Sequence, residues 1–463
     1  MPFRNKKVLV LGAGVSGISV AHVLQVNGAQ VTLSDAKSAH LLASKNLLTQ
    51  KEFDQISECG IALALGIQDE ELLEAIDYVV VSPGISIFVP LIKAAQAKGI
   101  IVMSEIEVAY RLCHVPILAI TGTNGKTTTT TLLGEMVKTI HQNVVVGGNI
   151  GLALSQEVAQ MGDSGIVVAE ISSFQLEGMI DFSPHIAAIL NITPDHLDRH
   201  QSMEIYIAMK ERIFANQTKD DYIVLNYDDV TVRDMNNRVP SKVFYFSRQI
   251  ELSSGIFVKD GIITIKWDDK TFPVCPINHI QLRGGHNVEN VLAACGIAFL
   301  AGVKLTDMAQ TIQGFTGVEH RIEKVATINN VAYYNDSKAT NPESSIKALE
   351  AFNGSVILIA GGRDKNTDLT IFVKLIKEKV DHLILIGEAK ERFSTVAAEH
   401  GISNIHSAGS LADAVSLAHQ LAESPQLVLL SPACASYDMF NSYEERGKIF
   451  KKLVSDLGKT AAL

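Results

Sequence analysis

A short run in the first third of the chain has the residue types and spacing of a phosphate-binding loop. Gly122-Thr123-Asn124-Gly125-Lys126-Thr127-Thr128 follows an apolar stretch, 115–120, and precedes a segment of helical length, 127–140. Glycines let backbone N–H groups approach phosphate oxygens, and a helix N-terminus adds a positive dipole end. Lys126 can reach the outer phosphates of a nucleotide, and the Thr127 hydroxyl can bind Mg²⁺. The run predicts a nucleotide site, although Ile120 stands where the general pattern has its first glycine.

Further polar side chains follow predicted strands on the carboxyl side of this loop. Glu170 ends the predicted strand 165–169, and Asp195-His196 follows the strand 186–190. Ligands bind at this edge of parallel sheets, so Glu170 is predicted to bind Mg²⁺ beside the loop, with an N-cap as the alternative role. Lys210 lies on a predicted amphipathic helix, 203–214, whose pattern alone favours a solvated lysine. Asn290 and Asn287 open another helix, where they could contact adenine or ribose or serve only as caps.

A second glycine-rich turn lies near the start of the chain. Gly12-Ala13-Gly14-Val15-Ser16-Gly17 connects a strand, 6–11, to a helix, 18–27, and Asp35 ends the next strand. This pattern is the fingerprint of a dinucleotide-binding βαβ unit and predicts a diphosphate at the helix N-terminus. It does not choose among nucleotides. Ser82-Pro83-Gly84 closes a later strand at the same sheet edge and, taken alone, is typical of a plain turn.

Strands and helices alternate along most of the chain, which predicts an α/β protein with parallel sheets. We expect three domains: a Rossmann-like domain at 1–105, a P-loop ATPase domain at 106–317 and a Rossmann-like domain at 318–463. Residues 147–151 are predicted to form a loop, because they are too glycine-rich for a strand interior. Residues 221–276 are predicted to add an antiparallel section to the central domain. In the last domain the predicted strands are 331–334, 355–360, 382–386 and 426–430.

Composition restricts the class of partner and the compartment. The 463 residues are 47% hydrophobic and 19% charged, which is typical of a globular protein. A formal net charge of −10 argues against nucleic acid or an anionic membrane as the main partner. The five cysteines are scattered and form no CxxC pair, which is typical of reduced thiols. With no apolar run long enough to span a bilayer, the sequence predicts a cytoplasmic location, and we expect a monomer.

Taken in order, these motifs resemble those of the Mur ligase family over essentially the whole chain. The resemblance rests on the P-loop, Gly148-Asn149-Ile150-Gly151, Glu170, Asp195-His196, Lys210, His286-Asn287 with Asn290, and His320-Arg321. Asn335-Asp336-Ser337-Lys338-Ala339-Thr340-Asn341 and Ser431-Pro432-Ala433-Cys434-Ala435-Ser436 resemble the members that add D-glutamate to UDP-N-acetylmuramoyl-L-alanine. The resemblance implies an ATP-dependent amide ligase of peptidoglycan precursor synthesis that works through an acyl phosphate.

The resemblance also assigns roles to individual residues. It implies catalytic roles for Lys126, Glu170, His196 and Lys210. It implies ATP contacts for Gly122, Thr123, Asn124, Gly125, Lys126, Thr127, Thr128, Asn290, Arg321 and Asp336. The implied Mg²⁺ ligands, for two sites, are Thr127, Glu170, His196 and a carbamylated Lys210. The implied contacts with UDP-N-acetylmuramoyl-L-alanine or D-glutamate are Gly14, Val15, Ser16, Asp35, Ser82, Gly84, Asn149, Ser172, Gln175, Lys338, Thr340, Lys365, Ser436, Tyr437 and Tyr443.

Three other functions were weighed against this interpretation. The first glycine-rich turn alone would suit a nicotinamide-dependent oxidoreductase, but that function leaves the P-loop without a role. An ATP-binding switch without chemistry would not couple phosphate release to an acid and an amine. Another ligase of the family, such as a folylpolyglutamate synthetase or a ligase adding L-alanine or a diamino acid, is disfavoured by the segment Asn335 to Asn341.

Overall fold

The structure, a computed structural model, describes residues 2–44, 50–151, 153–364 and 367–460. The first part of the chain forms a parallel five-stranded sheet in the order β3-β2-β1-β4-β5. Its strands are β1 Lys7–Leu11, β2 Gln30–Asp35, β3 Ala62–Leu65, β4 Tyr78–Val81 and β5 Ile101–Ser104. The helices are α1 Val15–Val26, α2 Ala39–Ser44, α3 Gln50–Glu58, α4 Pro90–Ala97 and α5 Glu105–Leu112, with a 3₁₀ turn at Glu70–Leu73.

Burial on both faces explains why these strands are continuous apolar runs. In β1, Val8 and Val10 pack into one core and Leu9 and Leu11 into another, and each is at most 1% exposed. Parallel sheets covered by helices on both sides require this pattern, because both faces of each strand are withdrawn from water.

The middle of the chain forms a nine-stranded sheet in the order β14-β13-β12-β11-β10-β9-β6-β8-β7. Its strands are β6 Ile117–Thr121, β7 Val144–Gly148, β8 Ile166–Glu170, β9 Ile186–Ile189, β10 Tyr222–Asn226, β11 Lys242–Ser247, β12 Gly255–Lys259, β13 Ile262–Trp267 and β14 Lys270–Pro276. The helices are α6 Lys126–Val137, α7 Leu154–Val158, α8 Ser173–Leu176, α9 Leu197–His200, α10 Met203–Glu211, α11 Val230–Arg233, α12 Gly285–Leu300 and α13 Leu305–Gly314. Short 3₁₀ turns lie at Arg212–Phe214, Asp234–Arg238 and Ile277–His279.

Two predictions about this sheet are wrong in detail. Gly147 and Gly148 do not belong to a loop, because they end strand β7. A Cβ on Gly148, whose φ is +103°, would lie 2.3 Å from the Glu170 carbonyl oxygen, so this strand needs glycine there. The section 221–276 is also not antiparallel throughout. Strands β10, β11 and β12 pair in parallel, and only β12-β13-β14 form an antiparallel ribbon. The helical segment that connects β10 to β11 was not predicted, and it permits their parallel pairing.

The last part of the chain forms a six-stranded sheet in the order β15-β16-β20-β17-β18-β19, in which only β15 and β16 pair antiparallel. Its strands are β15 Glu323–Ile328, β16 Val331–Asn335, β17 Val356–Gly361, β18 Val380–Ile386, β19 Ile405–Ser407 and β20 Leu427–Leu430. The helices are α14 Pro342–Glu350, α15 Thr370–Lys379, α16 Lys390–Glu399, α17 Leu411–Leu421 and α18 Tyr443–Thr460. The two outer strands, β15 and β19, were not predicted, because they carry few buried apolar residues.

The chain divides into two compact units. One contains Met1–His279 and Glu289–Gln313 and holds the first two sheets, and the other contains Ile280–Val288 and Gly314–Leu463 and holds the third. The predicted α/β class with three sheet-based domains is confirmed, whereas boundaries at 105/106 and 317/318 stay predictions. Within the described residues, none of the helices is both long and apolar enough to cross a membrane.

The first glycine-rich turn gives a matched pair of stability tests. A Cβ on Gly17 would lie 1.8 Å from the Gly12 carbonyl oxygen and 2.7 Å from Ser82 Oγ, whereas a Cβ on Gly14 meets nothing within 4 Å. Gly17→Ala is therefore expected to lower the free energy of unfolding by roughly 1–3 kcal/mol, as overpacking does. Gly14→Ala should change it by less than about 0.5 kcal/mol. Urea denaturation followed by circular dichroism measures both, and equal losses would contradict the close approach.

Candidate active site

The predicted P-loop joins β6 to α6 and is held by contacts with the loop after β9. Gly122 and Gly125 have φ of +152° and +86°, values that favour glycine. The Asn124 backbone N–H donates to Asn191 Oδ1 at 2.8 Å, and Asn191 Nδ2 donates back to the Asn124 carbonyl at 3.1 Å. A Cβ on Gly125 would lie 2.1 Å from Asn290 Oδ1, so the Asn290 amide packs directly on the loop. The sequence-predicted residues of this loop and Asn290 are therefore neighbours.

The carbonyl oxygen of Gly122 accepts hydrogen bonds from two lysine side chains. Lys126 Nζ donates to it at 2.9 Å and to the Thr123 carbonyl at 2.8 Å, and Lys210 Nζ donates to it at 2.8 Å. Lys210 is 1% exposed, so the prediction of a solvated lysine, which the helical pattern favoured, is wrong. Its burial and the neighbouring Lys126 ammonium hold the pKa of Lys210 well below its usual value, and Asp195 and Glu170 oppose that shift.

Glu170 ends β8 beside the loop, and one of its carboxylate oxygens is unpaired. Oε1 accepts from Asn149 Nδ2 at 2.8 Å, whereas Oε2 is buried and has no hydrogen-bond partner among the described residues. A buried acceptor left unsatisfied costs about 1–3 kcal/mol, and a bound ion is one partner that would satisfy it. A hard divalent cation fits this oxygen, and Thr127 supplies the first hydroxyl of α6, the helix that follows the P-loop.

A series of rings in tilted contact connects His196 to Lys210. The Phe174 ring lies 4.7 Å from the His196 ring and 5.5 Å from the His200 ring, and His200 lies 5.3 Å from Tyr206. Lys210 Nζ lies 4.7 Å from the Tyr206 ring centroid, and the Tyr206 hydroxyl is 3.1 Å from Thr123 Oγ1. Tyr206 was not singled out from the sequence. No local signal marks it, because its partners lie on other elements.

His196 itself adopts a left-handed conformation, with φ of +54°, at the start of α9. Its Nε2 lies 3.6 Å from Asp195 Oδ2. Among the described residues, one group of histidine and acidic side chains has ligand atoms close enough together to hold a metal. It consists of Glu319, His320 and Glu323, none of which was predicted to bind Mg²⁺. There Lys451 Nζ already donates to Glu319 and Glu323, at 2.9 and 2.5 Å. The metal roles of Thr127, Glu170, His196 and Lys210 therefore stay proposals.

Two side chains that were predicted to bind substrate hold the first glycine-rich turn in place through hydrogen bonds. Asp35 accepts from the backbone N–H groups of Ala13 and Lys37, both at 2.9 Å. Ser82 Oγ donates to the Gly12 carbonyl at 3.2 Å. Val15 is 75% exposed beside Gly14 and Ser16 at the N-terminus of α1, and Gly84 has open space around it. The sheet thus presents a backbone cradle at its carboxyl edge.

Two predicted substrate contacts have a local structural role. Ser172 Oγ accepts from the Gln175 backbone N–H at 3.3 Å, and Gln175 Oε1 accepts from the Ser172 backbone N–H at 2.9 Å. This capping box fixes the start of α8, the helix that follows Glu170. Both residues remain candidates for substrate contact.

The carboxyl ends of β16 and β20 meet at one edge of the third sheet, as predicted. Asp336 follows β16, and its Oδ2 accepts from Ser431 Oγ, which follows β20, at 2.7 Å. Burial raises the pKa of Asp336 to about 7, against the opposing effects of the Ser431 hydrogen bond and the Arg321 charge. Lys338 Nζ donates to the Tyr443 hydroxyl at 3.3 Å. Thr340 is half-buried, Ser436 is buried, Tyr437 is 70% exposed, and Lys365 lies outside the described residues.

Arg446, in α18, is a residue that the sequence reasoning missed. It is fully buried, and its guanidinium donates to Ser337 Oγ at 2.9 Å and to the Ser337 carbonyl at 2.7 Å. It also donates to the Cys434 carbonyl at 3.1 Å. One side chain thus ties together the two segments most typical of D-glutamate-adding ligases. Its partners are mainly backbone carbonyls, which no sequence pattern reveals.

The buried Asp336 predicts a measurable pH dependence of stability. Its folded-state pKa of about 7 exceeds the ordinary 3.8, so the folded protein binds more protons between these values. Stability is therefore expected to fall as pH rises through that window, with a slope approaching about 1.4 kcal/mol per pH unit. Asp336→Asn should remove this contribution. Urea denaturation of both proteins from pH 4.5 to 8 tests it, and a difference between them that does not change with pH would contradict it.

Comparisons with known proteins bear on the whole chain. Three family descriptions match in succession: "Mur ligase MurD-like, N-terminal domain" at residues 6–104, "Mur ligase middle domain" at 120–298 and "Mur ligase, glutamate ligase domain" at 320–434. The chain is 46% identical to a UDP-N-acetylmuramoylalanine--D-glutamate ligase of Thermoanaerobacter sp. (strain X514), covering 99% of this chain and 100% of the relative. It is 44% identical, with the same coverage, to a protein of that name from Caldanaerobacter subterraneus subsp. tengcongensis.

Solved structures agree on the fold. The structure of a UDP-N-acetylmuramate-alanine ligase from Thermotoga maritima matches with a TM-score of 0.60 at 18% identity, covering 98% of this chain and 99% of that one. The family descriptions match most of the chain, and the relatives match almost all of it. The chain belongs to the Mur ligase family.

Proposed function

We propose that this protein is an ATP-dependent ligase that joins D-glutamate to UDP-N-acetylmuramoyl-L-alanine in peptidoglycan precursor synthesis. The observation that carries the proposal is the 46% identity, over 99% of the chain, to a relative with that named activity. The geometry is compatible with it. A nucleotide-binding loop lies beside an unpaired buried carboxylate oxygen, and a separate glycine-rich turn offers a cradle for a diphosphate.

The chemistry explains why an amide ligase needs a P-loop. A carboxylate is a poor electrophile, so one of its oxygens must become part of a leaving group. The L-alanyl carboxylate attacks the γ-phosphorus of ATP, which gives an acyl phosphate and ADP. The neutral amine of D-glutamate then attacks the acyl carbon, its nitrogen loses a proton to solvent, and phosphate leaves as the tetrahedral intermediate collapses to the amide. Charge on the transferring phosphoryl group must be offset, and we assign this role to Lys126, whose ammonium lies against the carbonyls of the P-loop.

We further propose that Thr127, Glu170, His196 and a carbamylated Lys210 hold two Mg²⁺ ions. The unpaired Glu170 Oε2 and the hydroxyl of Thr127 are the hard oxygen donors that Mg²⁺ prefers. Bound Mg²⁺ would offset negative charge on the phosphates and the acid substrate. Asn149 holds the Glu170 carboxylate in place through its amide.

The third sheet is proposed to bind the amino acid through cationic and hydroxyl groups. D-glutamate brings two carboxylates, and the loops after β16 and β20 carry Lys338, Thr340 and Ser436, with Tyr443 against Lys338. Lys365, Tyr437 and the nucleotide contacts Arg321 and Asp336 remain parts of the same proposal. The first sheet would hold the UDP diphosphate on its glycine-rich turn, with Asp35 near the uridine.

Phosphate release with a panel of acceptors tests the function. Inorganic phosphate should be released from ATP only when both UDP-N-acetylmuramoyl-L-alanine and D-glutamate are present. L-glutamate, L-alanine or a diamino acid should give little turnover. Lys126→Met, which removes a cation from the phosphoryl site, should lower kcat by about 10³-fold or more. Release without an amino acid, or equal use of another amino acid, would contradict the proposal.

The carbamate proposal has its own test. The neutral Lys210 amine would attack CO₂ through nitrogen, one C=O electron pair would move to oxygen, and a proton would leave to solvent. Only a neutral amine can do this, and the lowered pKa of Lys210 favours that form. Activity should fall in CO₂-free buffer at mildly acid pH and recover with bicarbonate. Lys210→Arg should be nearly inactive because guanidinium stays charged, and full activity in this variant would return Lys210 to a purely structural role.

A further inference from the structure

Arg199 lies in α9, three residues after His196, and its guanidinium joins the edges of the first two sheets. Nη1 donates to the Pro83 carbonyl at 2.8 Å, and Nη2 donates to the Ile85 carbonyl at 2.8 Å. These carbonyls belong to the turn after β4 in the first sheet. Nε and Nη2 also donate to the two carboxylate oxygens of Glu177, at 3.0 and 2.6 Å, just after α8 of the second sheet.

The same guanidinium covers the ring that packs on His196. Its central carbon lies 4.1 Å from the centroid of the Phe174 ring, and Phe174 lies 4.7 Å from the His196 ring. A movement of the turn after β4 would therefore displace Arg199 and, through it, Phe174 and His196.

Arg199 and Glu177 form a buried ion pair, which we expect to hold its geometry more strictly than a surface ion pair does. The Arg199 side chain is 13% exposed and that of Glu177 is 3% exposed. A bidentate, charge-assisted pair withdrawn from water holds its geometry more strictly than a solvated one. The planar fork that reaches a carboxylate and two carbonyls together is specific to arginine, and a lysine cannot reproduce it.

We propose that Arg199 is a positioning residue that sets the acid substrate, held by the first sheet, in register with the phosphoryl-transfer site of the second. The inference rests on the proposed function. The UDP portion is assigned to the first sheet and the P-loop belongs to the second. The reacting carboxylate and the γ-phosphate must therefore come within about 3–3.5 Å of each other, although different sheets hold the two substrates. Arg199 makes contacts that can fix this relation.

The kinetic consequence differs from that of a residue needed only for folding. A displacement of about 1 Å at the reacting atoms can cost about 10²-fold in rate. Arg199→Ala is expected to lower kcat/KM for UDP-N-acetylmuramoyl-L-alanine by about that factor, with both a higher KM and a lower kcat. The KM values for ATP and D-glutamate should change less than about threefold. A folding role alone would lower the melting temperature and leave these constants unchanged in the folded fraction.

The experiment measures steady-state constants for all three substrates in wild type, Arg199→Ala, Arg199→Lys and Glu177→Gln. Arg238→Ala is the matched control, because Arg238 Nε donates to the Glu211 carboxylate at 2.9 Å on the surface of the same unit. The control should keep wild-type constants. Adding guanidinium ion at millimolar concentration should raise the kcat of Arg199→Ala by at least about tenfold. Arg199→Lys should stay impaired, because only a planar guanidinium satisfies the three acceptor groups together.

The outcomes separate this inference from the function on which it rests. A wild-type protein without turnover on these substrates overturns the proposed function. With an active wild type, unchanged constants in Arg199→Ala overturn the inference. Parallel rises in KM for all three substrates, without guanidinium rescue, also overturn it in favour of a structural role. If Arg199→Ala does not fold, wild-type kcat/KM in Arg199→Lys overturns the inference.

Discussion

Two lysine amines meet at the Gly122 carbonyl oxygen, and the P-loop edge of the second sheet depends on this contact. Both nitrogens lie within 2.9 Å of that oxygen, and Lys210 is withdrawn from water. Two ammonium groups so close repel each other, and the repulsion grows as the effective dielectric constant falls. Burial first, and the Lys126 charge second, lower the pKa of Lys210 and favour its neutral form. A neutral amine is the form that the proposed carbamylation of Lys210 requires, and Lys126 stands at the start of α6.

The sheet topology makes this meeting possible. Strands β8, β6 and β9 are adjacent and parallel, so Glu170, the P-loop and the Asp195-His196 segment all follow carboxyl ends at one edge. Glu170 and Asp195 raise the pKa of Lys210 against the effects of burial and Lys126. Tyr206 and Thr123 connect the helix of Lys210 to the loop through one hydroxyl contact. The two acidic groups that oppose the lowering of the Lys210 pKa thus come from two separate places, the end of β8 and the loop after β9.

Sequence patterns predicted the parts of this arrangement that depend on local chemistry. Apolar runs located most strands, and glycine spacing located both glycine-rich turns, between β1 and α1 and between β6 and α6. The burial of Lys210 was not predictable, because its partner at Gly122 lies 88 residues earlier in the chain. Arg199 and Arg446 were missed for a related reason. Several of their partners are backbone carbonyls of distant segments, which any residue can supply. Gly148 misled the strand prediction because its role is a close approach between β7 and β8.

The proposed carbamylation of Lys210 can be tested directly, apart from turnover. ¹³C NMR of the wild-type protein in ¹³C-labelled bicarbonate near pH 8 reports any lysine carbamate through its carbonyl carbon. One such resonance is expected in the wild type, and it should disappear in Lys210→Met. Its absence from the wild type, or its persistence in Lys210→Met, would contradict the assignment of Lys210 as the amine whose pKa is lowered by burial beside Lys126.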